Sequence, residues 1–159
     1  MLVVLIMGSP DDAEFSEQIT QALDDLGIPW ERRVASAHKA PRYVLDMLEA
    51  YEADPQPKVY ITVAGRSNAL SGLVDAQVSA PVIACPPASS KFAGGDVLSS
   101  LRMPSGVAPA VVLEPSNAAL LAAKILGLTD PGLCDKVKAS QVEQRRRLLD
   151  ADASRGSDQ

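Results

Sequence analysis

The uninterrupted apolar run at residues 2–7, Leu-Val-Val-Leu-Ile-Met, constrains the fold of this chain more than any other stretch. A continuous run without polar alternation predicts a strand that is covered on both faces, as in the centre of a parallel sheet. The polar loop Gly8-Ser9-Pro10-Asp11-Asp12 follows it, and apolar residues then recur at helical spacing from Phe15 to Leu26. A strand, a short loop and an amphipathic helix in this order predict the start of an α/β fold.

The same alternation continues along the chain. Further strands are predicted at 30–34, 58–63, 81–84 and 107–113, and further helices at about 41–51, 68–78, 96–102, 117–126 and 132–151. Strands that alternate with helices at this spacing predict one parallel sheet of five strands with helices on both faces. We therefore expect a single domain over residues 1–152, with a core at 2–127, a C-terminal helix at about 132–151 and a disordered tail at 153–159.

Composition narrows the function classes. The 159 residues carry a formal net charge of −5, which argues against a general nucleic-acid surface or an acidic-membrane surface. The two cysteines, Cys85 and Cys134, match no metal or redox spacing, so reduced thiols in a cytoplasmic protein are the simplest interpretation. The apolar start is too short to span a bilayer and lacks the basic lead-in of a signal peptide, so we expect no membrane partner.

The single histidine lies in the loop Val34-Ala35-Ser36-Ala37-His38-Lys39-Ala40-Pro41, between a predicted strand and a predicted helix. In α/β proteins, ligands bind at the loops that leave the carboxyl ends of strands. Histidine exchanges protons near neutral pH, since its unperturbed pKa is about 6.5. A structural alternative is that His38 caps a helix or fills a turn, and the residue type alone leaves both interpretations open.

The loop 8–12 also has two interpretations. Exposed N–H groups at the start of a helix favour a phosphate. Ser9 as N-cap, Pro10 at the first helical position and Asp12 three residues after the cap make an ordinary capping arrangement, which is favoured when the loop is taken alone. The loop is not a dinucleotide fingerprint or a P-loop, because the required glycines and lysine are missing.

A third loop, Ala64-Gly65-Arg66-Ser67-Asn68, follows the third predicted strand. Its signal is weak alone, since Ser67 is also a plausible helix cap. In a doubly wound sheet, however, the three loops lie along one edge and together offer phosphate contacts, two cations and a proton-transfer group. No serine elbow and no cluster of metal ligands accompanies His38, so we expect no metal and favour general acid/base chemistry on a small molecule.

The stretch 117–126 is rich in alanine and leucine on nearly all sides. A helix without a polar face is usually buried. In a chain of this size, burial on every side suggests contact with another subunit. We therefore expect a homo-oligomer.

Three motifs in order, Met7-Gly8-Ser9-x-x-Asp12, Ser36-Ala37-His38-Lys39 and Met103-Pro104-Ser105-Gly106-Val107, resemble the aminoimidazole ribonucleotide (AIR) carboxylases and mutases of purine biosynthesis. The resemblance covers about residues 2–127. It implies a flavodoxin-like three-layer α/β/α sandwich assembled into homo-octamers, and no cofactor.

The family has two branches, and three features resemble its class II branch, which carboxylates AIR directly with CO2 to give 4-carboxy-AIR (CAIR). Lys39 replaces the arginine of the other branch, the loop 64–68 lacks that branch's histidine, and Cys85-Pro86-Pro87 follows the fourth strand. Direct carboxylation is therefore the first hypothesis. The alternatives are the class I mutase, which moves a carboxylate from the exocyclic nitrogen to ring carbon 4, and a non-catalytic nucleotide-binding module.

The resemblance also implies roles for individual residues. His38 would be the catalytic acid/base, Ser9 and Lys39 would hold the phosphate and Asp12 the ribose hydroxyls, while Ser36 and the loop 65–68 would hold the base and the carboxylate. The implied substrate-binding residues are Gly8, Ser9, Asp12, Ser36, Ala37, Lys39, Gly65, Arg66, Ser67 and Asn68. Asp11 departs from the family pattern, which has a serine there, and a carboxylate repels a phosphate.

Overall fold

In a computed structural model that describes residues 1–155, five parallel strands form one sheet in the order β2-β1-β3-β4-β5. The strands are β1 (Leu2–Met7), β2 (Trp30–Val34), β3 (Lys58–Val63), β4 (Val82–Ala84) and β5 (Ala110–Val111). The central strand β1 pairs with β2 on one side and with β3 on the other. This order places the loops after β1, β2 and β3 side by side at one edge of the sheet.

Six α-helices complete the described part of the chain. They are α1 (Ala13–Leu26), α2 (Pro41–Glu52), α3 (Ala69–Asp75), α4 (Leu98–Leu101), α5 (Pro115–Leu126) and α6 (Pro131–Arg155). Short 3₁₀ segments at Pro10–Asp12 and Lys91–Val97 precede α1 and α4. None of the helices within residues 1–155 has the length and apolar character needed to cross a membrane.

The core lies in two layers, one on each face of the sheet. Val3, Leu5 and Met7 of β1 pack with residues of α1, α5 and the start of α6, whereas Val4 and Ile6 pack with residues of α2 and α3. All six residues of β1 are buried, which explains why its sequence shows no polar alternation. The predicted flavodoxin-like three-layer α/β/α sandwich with a five-stranded parallel sheet is confirmed.

Truncation of a β1 side chain tests this assignment of the core. Leu5→Ala is expected to lower the free energy of unfolding by about 2–5 kcal/mol, because Leu5 is fully buried and its removal leaves a cavity under α1 and α5. Urea unfolding followed by circular dichroism measures the loss. Leu128→Ala is the matched control, since Leu128 is 84% exposed and its truncation should change stability by less than about 0.5 kcal/mol. Equal stability of the two variants would contradict the assignment.

The last strand is shorter than predicted. The sequence pattern predicts a strand over 107–113, but only Ala110–Val111 pair with β4. The N–H of Val107 donates to Pro104 O in a turn, and the N–H of Ala108 donates to the Asp75 carboxylate at 2.7 Å. Pro109 has no N–H, so the residues before Ala110 have their donors engaged elsewhere or lack them.

Two helix boundaries also differ from the prediction. Of the helix expected over 96–102, residues 98–101 form the single α-helical turn α4, and residues 96 and 97 end the 3₁₀ segment Lys91–Val97. That segment is interrupted at residues 92–94 by left-handed backbone. The C-terminal helix runs over Pro131–Arg155 rather than 132–151. The predicted disordered tail is therefore wrong for residues 153–155, which are helical, and residues 156–159 lie outside the described residues.

One side of the apolar helix α5 is covered within its own chain. Ala118, Ala119, Ala122 and Ala123 are fully buried in the layer formed with α1, α6 and the sheet. The small side chains allow helices to approach each other closely. Packing against α1, α6 and the sheet therefore accounts for part of the predicted burial, whereas Leu120, Leu121 and Ile125 are only partly buried in the single chain. The homo-oligomer stays a prediction.

Candidate active site

The loops that leave β1, β2 and β3 converge on one cavity of about 390 Å³. Because the three strands are parallel neighbours, their carboxyl ends meet at the same edge of the sheet. The cavity is lined by Gly8, Ser9, Asp11, Asp12, Ser36, Ala37, His38, Lys39, Ala64, Gly65, Arg66, Ser67 and Leu70. All residues predicted for the site line it except Asn68.

The first loop is both a helix cap and a wall of the cavity. Ser9 Oγ accepts a hydrogen bond from the N–H of Asp11 at 3.2 Å, and the N–H of Ser9 donates to Asp12 Oδ2 at 3.1 Å. This capping box confirms the capping interpretation, while Ser9 and Asp12 still face the cavity. A Cβ added to Gly8 would lie 3.3 Å from Ala64 Cβ, so glycine permits the close approach of the first and third loops.

Asp12 lies in an unusual electrostatic setting. Partial burial raises the pKa of the Asp12 carboxyl above its ordinary value, and the neighbouring charge of Asp11 acts in the same direction. The hydrogen bond from Ser9 N–H and the guanidinium of Arg66 both oppose this rise in the pKa. Asp12 thus lines the cavity as a hydrogen-bond acceptor that feels the charges of both Asp11 and Arg66.

His38 and Lys39 lie on the exposed side of a tight turn in the second loop. The N–H of Lys39 donates to Ser36 Oγ at 3.3 Å, and the N–H of Ala40 donates to Ser36 O at 2.9 Å. Both His38 and Lys39 are exposed. The N-cap residue of α2 is Ala40, so His38 does not cap this helix, but His38 does lie in a turn over residues 37–39, as the second half of the structural alternative states. Within residues 1–155 no protein group forms a hydrogen bond with the imidazole, which leaves both ring nitrogens accessible from the cavity.

Some residues of the third loop line the cavity, and others are buried in the protein interior. Arg66 and Ser67 line the cavity, and Arg66 has a left-handed backbone with φ of 56°. Asn68 is only 4% exposed and is the N-cap of α3, where its Oδ1 accepts from Ser71 N–H at 3.2 Å. The capping role that the sequence left open for Ser67 thus belongs to Asn68, and the Asn68 side chain faces the interior rather than the cavity.

Besides Asp11, two residues of the cavity wall are absent from the predicted binding residues. Ala64 directly follows β3 and Leu70 lies in the first turn of α3, and both contribute apolar surface. Their residue types carry no chemical signal. They belong to the cavity wall only because they lie beside the polar loops, and that position depends on the pairing of β1 with β3.

Cys85 follows β4 but does not line the cavity, and it is expected to be inert. Complete burial raises the pKa of its thiol to about 12, with a further contribution from the charge of Glu114. Iodoacetamide at about pH 8 should therefore label the partly exposed Cys134 and spare Cys85 until urea is added, as measured by peptide mass spectrometry. Rapid labelling of Cys85 in the folded protein would contradict this assignment.

Comparison with known proteins identifies the family. The sequence profile of the AIR carboxylase family matches residues 2–147. A phosphoribosylaminoimidazole carboxylase of Treponema denticola is 51% identical over 152 residues, which is 96% of both chains. One of Archaeoglobus fulgidus is 53% identical over 152 residues, 96% of this chain and 83% of that protein. The human bifunctional phosphoribosylaminoimidazole carboxylase/phosphoribosylaminoimidazole succinocarboxamide synthetase is 42% identical over 150 residues, which cover 94% of this chain and 35% of that protein.

Solved structures agree with the sequence comparison. The crystal structure of Treponema denticola PurE superposes with a TM-score of 0.95 at 50% identity, covering 96% of this chain and 97% of that one. A crystal structure of a serine-to-aspartate variant of Treponema denticola PurE2 gives a TM-score of 0.94 at 50% identity, over 96% of each chain. At this level of sequence and structural similarity, the chain belongs to the AIR carboxylase family of purine-biosynthesis enzymes.

Proposed function

We propose that this protein carboxylates AIR reversibly at ring carbon 4 with CO2, giving CAIR without ATP or biotin. The observation that carries the proposal is the convergence of His38, Lys39, Ser9 and Asp12 with the third loop on one cavity. The cavity volume of about 390 Å³ lies within the range of small-molecule sites. Its wall combines hydroxyl, carboxylate and cationic groups, which suit a phosphorylated, hydroxylated substrate.

The phosphate of AIR is assigned to one side of the cavity. Lys39 is exposed and brings a positive charge, and Ser9 brings a hydroxyl from the neighbouring loop. Asp11 also lines the cavity, and Pro10 has no N–H to offer. A carboxylate beside a phosphate is repulsive, so Asp11 is assigned no phosphate contact and the binding relies on Ser9, Lys39 and the loop backbone. Asp12 is assigned the ribose hydroxyls.

The chemistry assigned to His38 follows from the substrate. The aminoimidazole ring behaves as an enamine, so carbon 4 attacks the carbon of CO2, a new C–C bond forms and an electron pair moves to a CO2 oxygen. Carbon 4 then carries both the new carboxylate and its original hydrogen. An imidazole at this position takes that proton as general base, which restores the aromatic ring, and returns it when the reaction runs towards decarboxylation. The exposure of His38 lets the proton pass on to solvent.

The class II reaction is preferred to the mutase because of the third loop. His38 is the only histidine in the chain, so the loop 64–68 lacks the second histidine expected for the class I branch. Lys39 in place of arginine and Cys85-Pro86-Pro87 after β4 favour the same branch. Arg66 is the cation that this loop brings to the cavity instead.

A cytoplasmic homo-octamer belongs to the same proposal. Apolar side chains on the outer turns of α6 are exposed in the single chain, namely Val142, Leu148 and Leu149. These side chains are available for contact with another copy. Sedimentation at several protein concentrations tests the assembly, and a monomer at all of them would contradict it.

An absorbance assay with purified protein, AIR and bicarbonate in the absence of ATP tests the reaction. Carboxylation whose rate rises with dissolved CO2 would support the proposal. A parallel assay uses the nitrogen-carboxylated isomer of CAIR as substrate. Turnover of that isomer alone would assign the protein to the mutase branch, and no turnover of either substrate would leave the non-catalytic binding module.

A further inference from the structure

A single hydroxyl holds the backbone of the third loop from outside the cavity. Ser99, in α4, lies about thirty residues further along the chain, and its Oγ accepts a hydrogen bond from the N–H of Asn68 at 3.0 Å. The same oxygen lies 2.9 Å from Arg66 O and 2.8 Å from Asp96 O, and its one proton is shared between these two carbonyls. Ser99 thus contacts the peptide groups on both sides of Ser67.

A second contact between the same segments is buried. The side-chain amide of Asn68 donates to Ser100 Oγ at 2.9 Å, and both residues are almost completely buried. Asn68 Oδ1 in turn accepts from Ser71 Oγ, which is hydrogen bonded to Thr62 of β3. Consecutive residues of α4 therefore tie the third loop to the interior of the domain.

The conformation held in this way is an unfavourable one. Arg66 has φ of 56°, a left-handed conformation that places Cβ too close to the backbone in residues other than glycine. Such a conformation persists only where the surroundings fix it. The hydrogen bond to Arg66 O and the one from Asn68 N–H lie on either side of the residue that follows Arg66. These bonds engage the peptide groups on both sides of Ser67, and Arg66 and Ser67 both line the cavity.

We propose that Ser99 is a positioning residue, whose hydroxyl keeps the loop 66–68 in the conformation that directs Arg66 and Ser67 towards the reacting carboxylate. That this loop holds the carboxylate is implied by the resemblance to the family, and this part of the inference rests on the proposed function. Ser99 does not line the cavity formed by the three loops, and its hydrogen bonds to the third loop are to backbone groups.

Kinetics of three variants test the role. Ser99→Ala is expected to lower kcat for carboxylation about tenfold, because displacement of groups near the reacting atoms costs rate. The KM for AIR should stay nearly unchanged, since Ser99 does not contact the loop assigned to the phosphate. Ser99→Thr retains the hydroxyl and should restore kcat. Ser79→Ala is the control, because Ser79 also joins two distant segments through its hydroxyl, to Glu52, at the other edge of the sheet.

Amide hydrogen exchange gives a readout that does not depend on turnover. The N–H of Asn68 should exchange on the order of tenfold faster in Ser99→Ala than in the wild type or Ser99→Thr. The N–H of Gly8, which donates to Val63 O, should be unaffected. If Ser99→Ala fails to fold, Ser99→Cys keeps a similar volume with weaker hydrogen bonding and is expected to show the same changes.

Three results would be decisive. Unchanged kcat together with unchanged exchange at Asn68 in the alanine variant would overturn the positioning role, as would faster exchange without a loss of kcat in an active enzyme. A wild-type protein that turns over neither substrate would overturn the proposed function instead, and the exchange at Asn68 would then decide alone whether Ser99 holds the loop.

Discussion

Replacing His38 with asparagine is expected to lower kcat for AIR carboxylation by about 10²–10⁴-fold, the usual contribution of a positioned general base. Asparagine keeps polar atoms near the ring position but cannot accept a proton at neutral pH. The imidazole is exposed and forms no hydrogen bond with another residue in 1–155, so the substitution should leave the thermal unfolding transition in place. Initial rates at saturating AIR and CO2 measure the effect on carboxylation, and initial rates with CAIR measure it on decarboxylation.

A measurement of CAIR binding and a surface substitution serve as controls for the His38→Asn variant. CAIR should still bind His38→Asn in calorimetry, because the phosphate and ribose contacts are assigned to other residues. Glu49→Gln, an exposed change on α2 after the same loop, should retain the wild-type rate. A His38→Asn variant with full activity would remove the histidine from the mechanism, and with it the chemical part of the proposal.

Lys39→Gln is expected to raise the KM for AIR by about 10–100-fold, because a hydrogen bond to a charged group contributes about 1.5–3 kcal/mol. Lys39 lies on the cavity wall beside His38, and in the single chain its ammonium forms no ion pair with a residue in 1–155. The loss should appear mainly in KM, because the phosphate lies away from the reacting carbon. Steady-state kinetics with varied AIR measure it, and added salt should reduce the difference between the two proteins.

Two further substitutions distinguish a local contact from a change in net charge. Lys124→Gln removes an equal charge from the end of α5, outside the cavity, and should leave KM unchanged. Lys39→Arg keeps the cation but replaces a point charge with a planar fork, so it should retain most of the binding. Equal KM values for Lys39→Gln and the wild type would show that the phosphate lies elsewhere in the cavity.

Much of the architecture was predictable because the local pattern of apolar and polar residues follows directly from which residues are buried. The apolar run of β1 is continuous because α-helices cover both of its faces, and the loops after β1 and β2 carry polar residues because they lie at the open edge. The position of His38 between a predicted strand and a predicted helix was sufficient to assign it to that edge. The length of β5 was not predictable in the same way, since the N–H groups of the preceding Val107 and Ala108 are bonded to Pro104 and Asp75 instead of to β4.

The sequence by itself determined the alternation of strands and helices, and with it the edge at which the polar loops meet. Hydrophobic periodicity and cap residues act over a few neighbouring positions, so they can be read without knowledge of distant contacts. Only the tertiary structure decided that Asn68 faces inward as a cap, that the alanines of α5 pack against α1 and α6, and that Ser99 is hydrogen bonded to the loop of Arg66. Each of these depends on hydrogen bonds or packing between segments that are far apart in the chain. Such contacts cannot be predicted from residue type and local spacing.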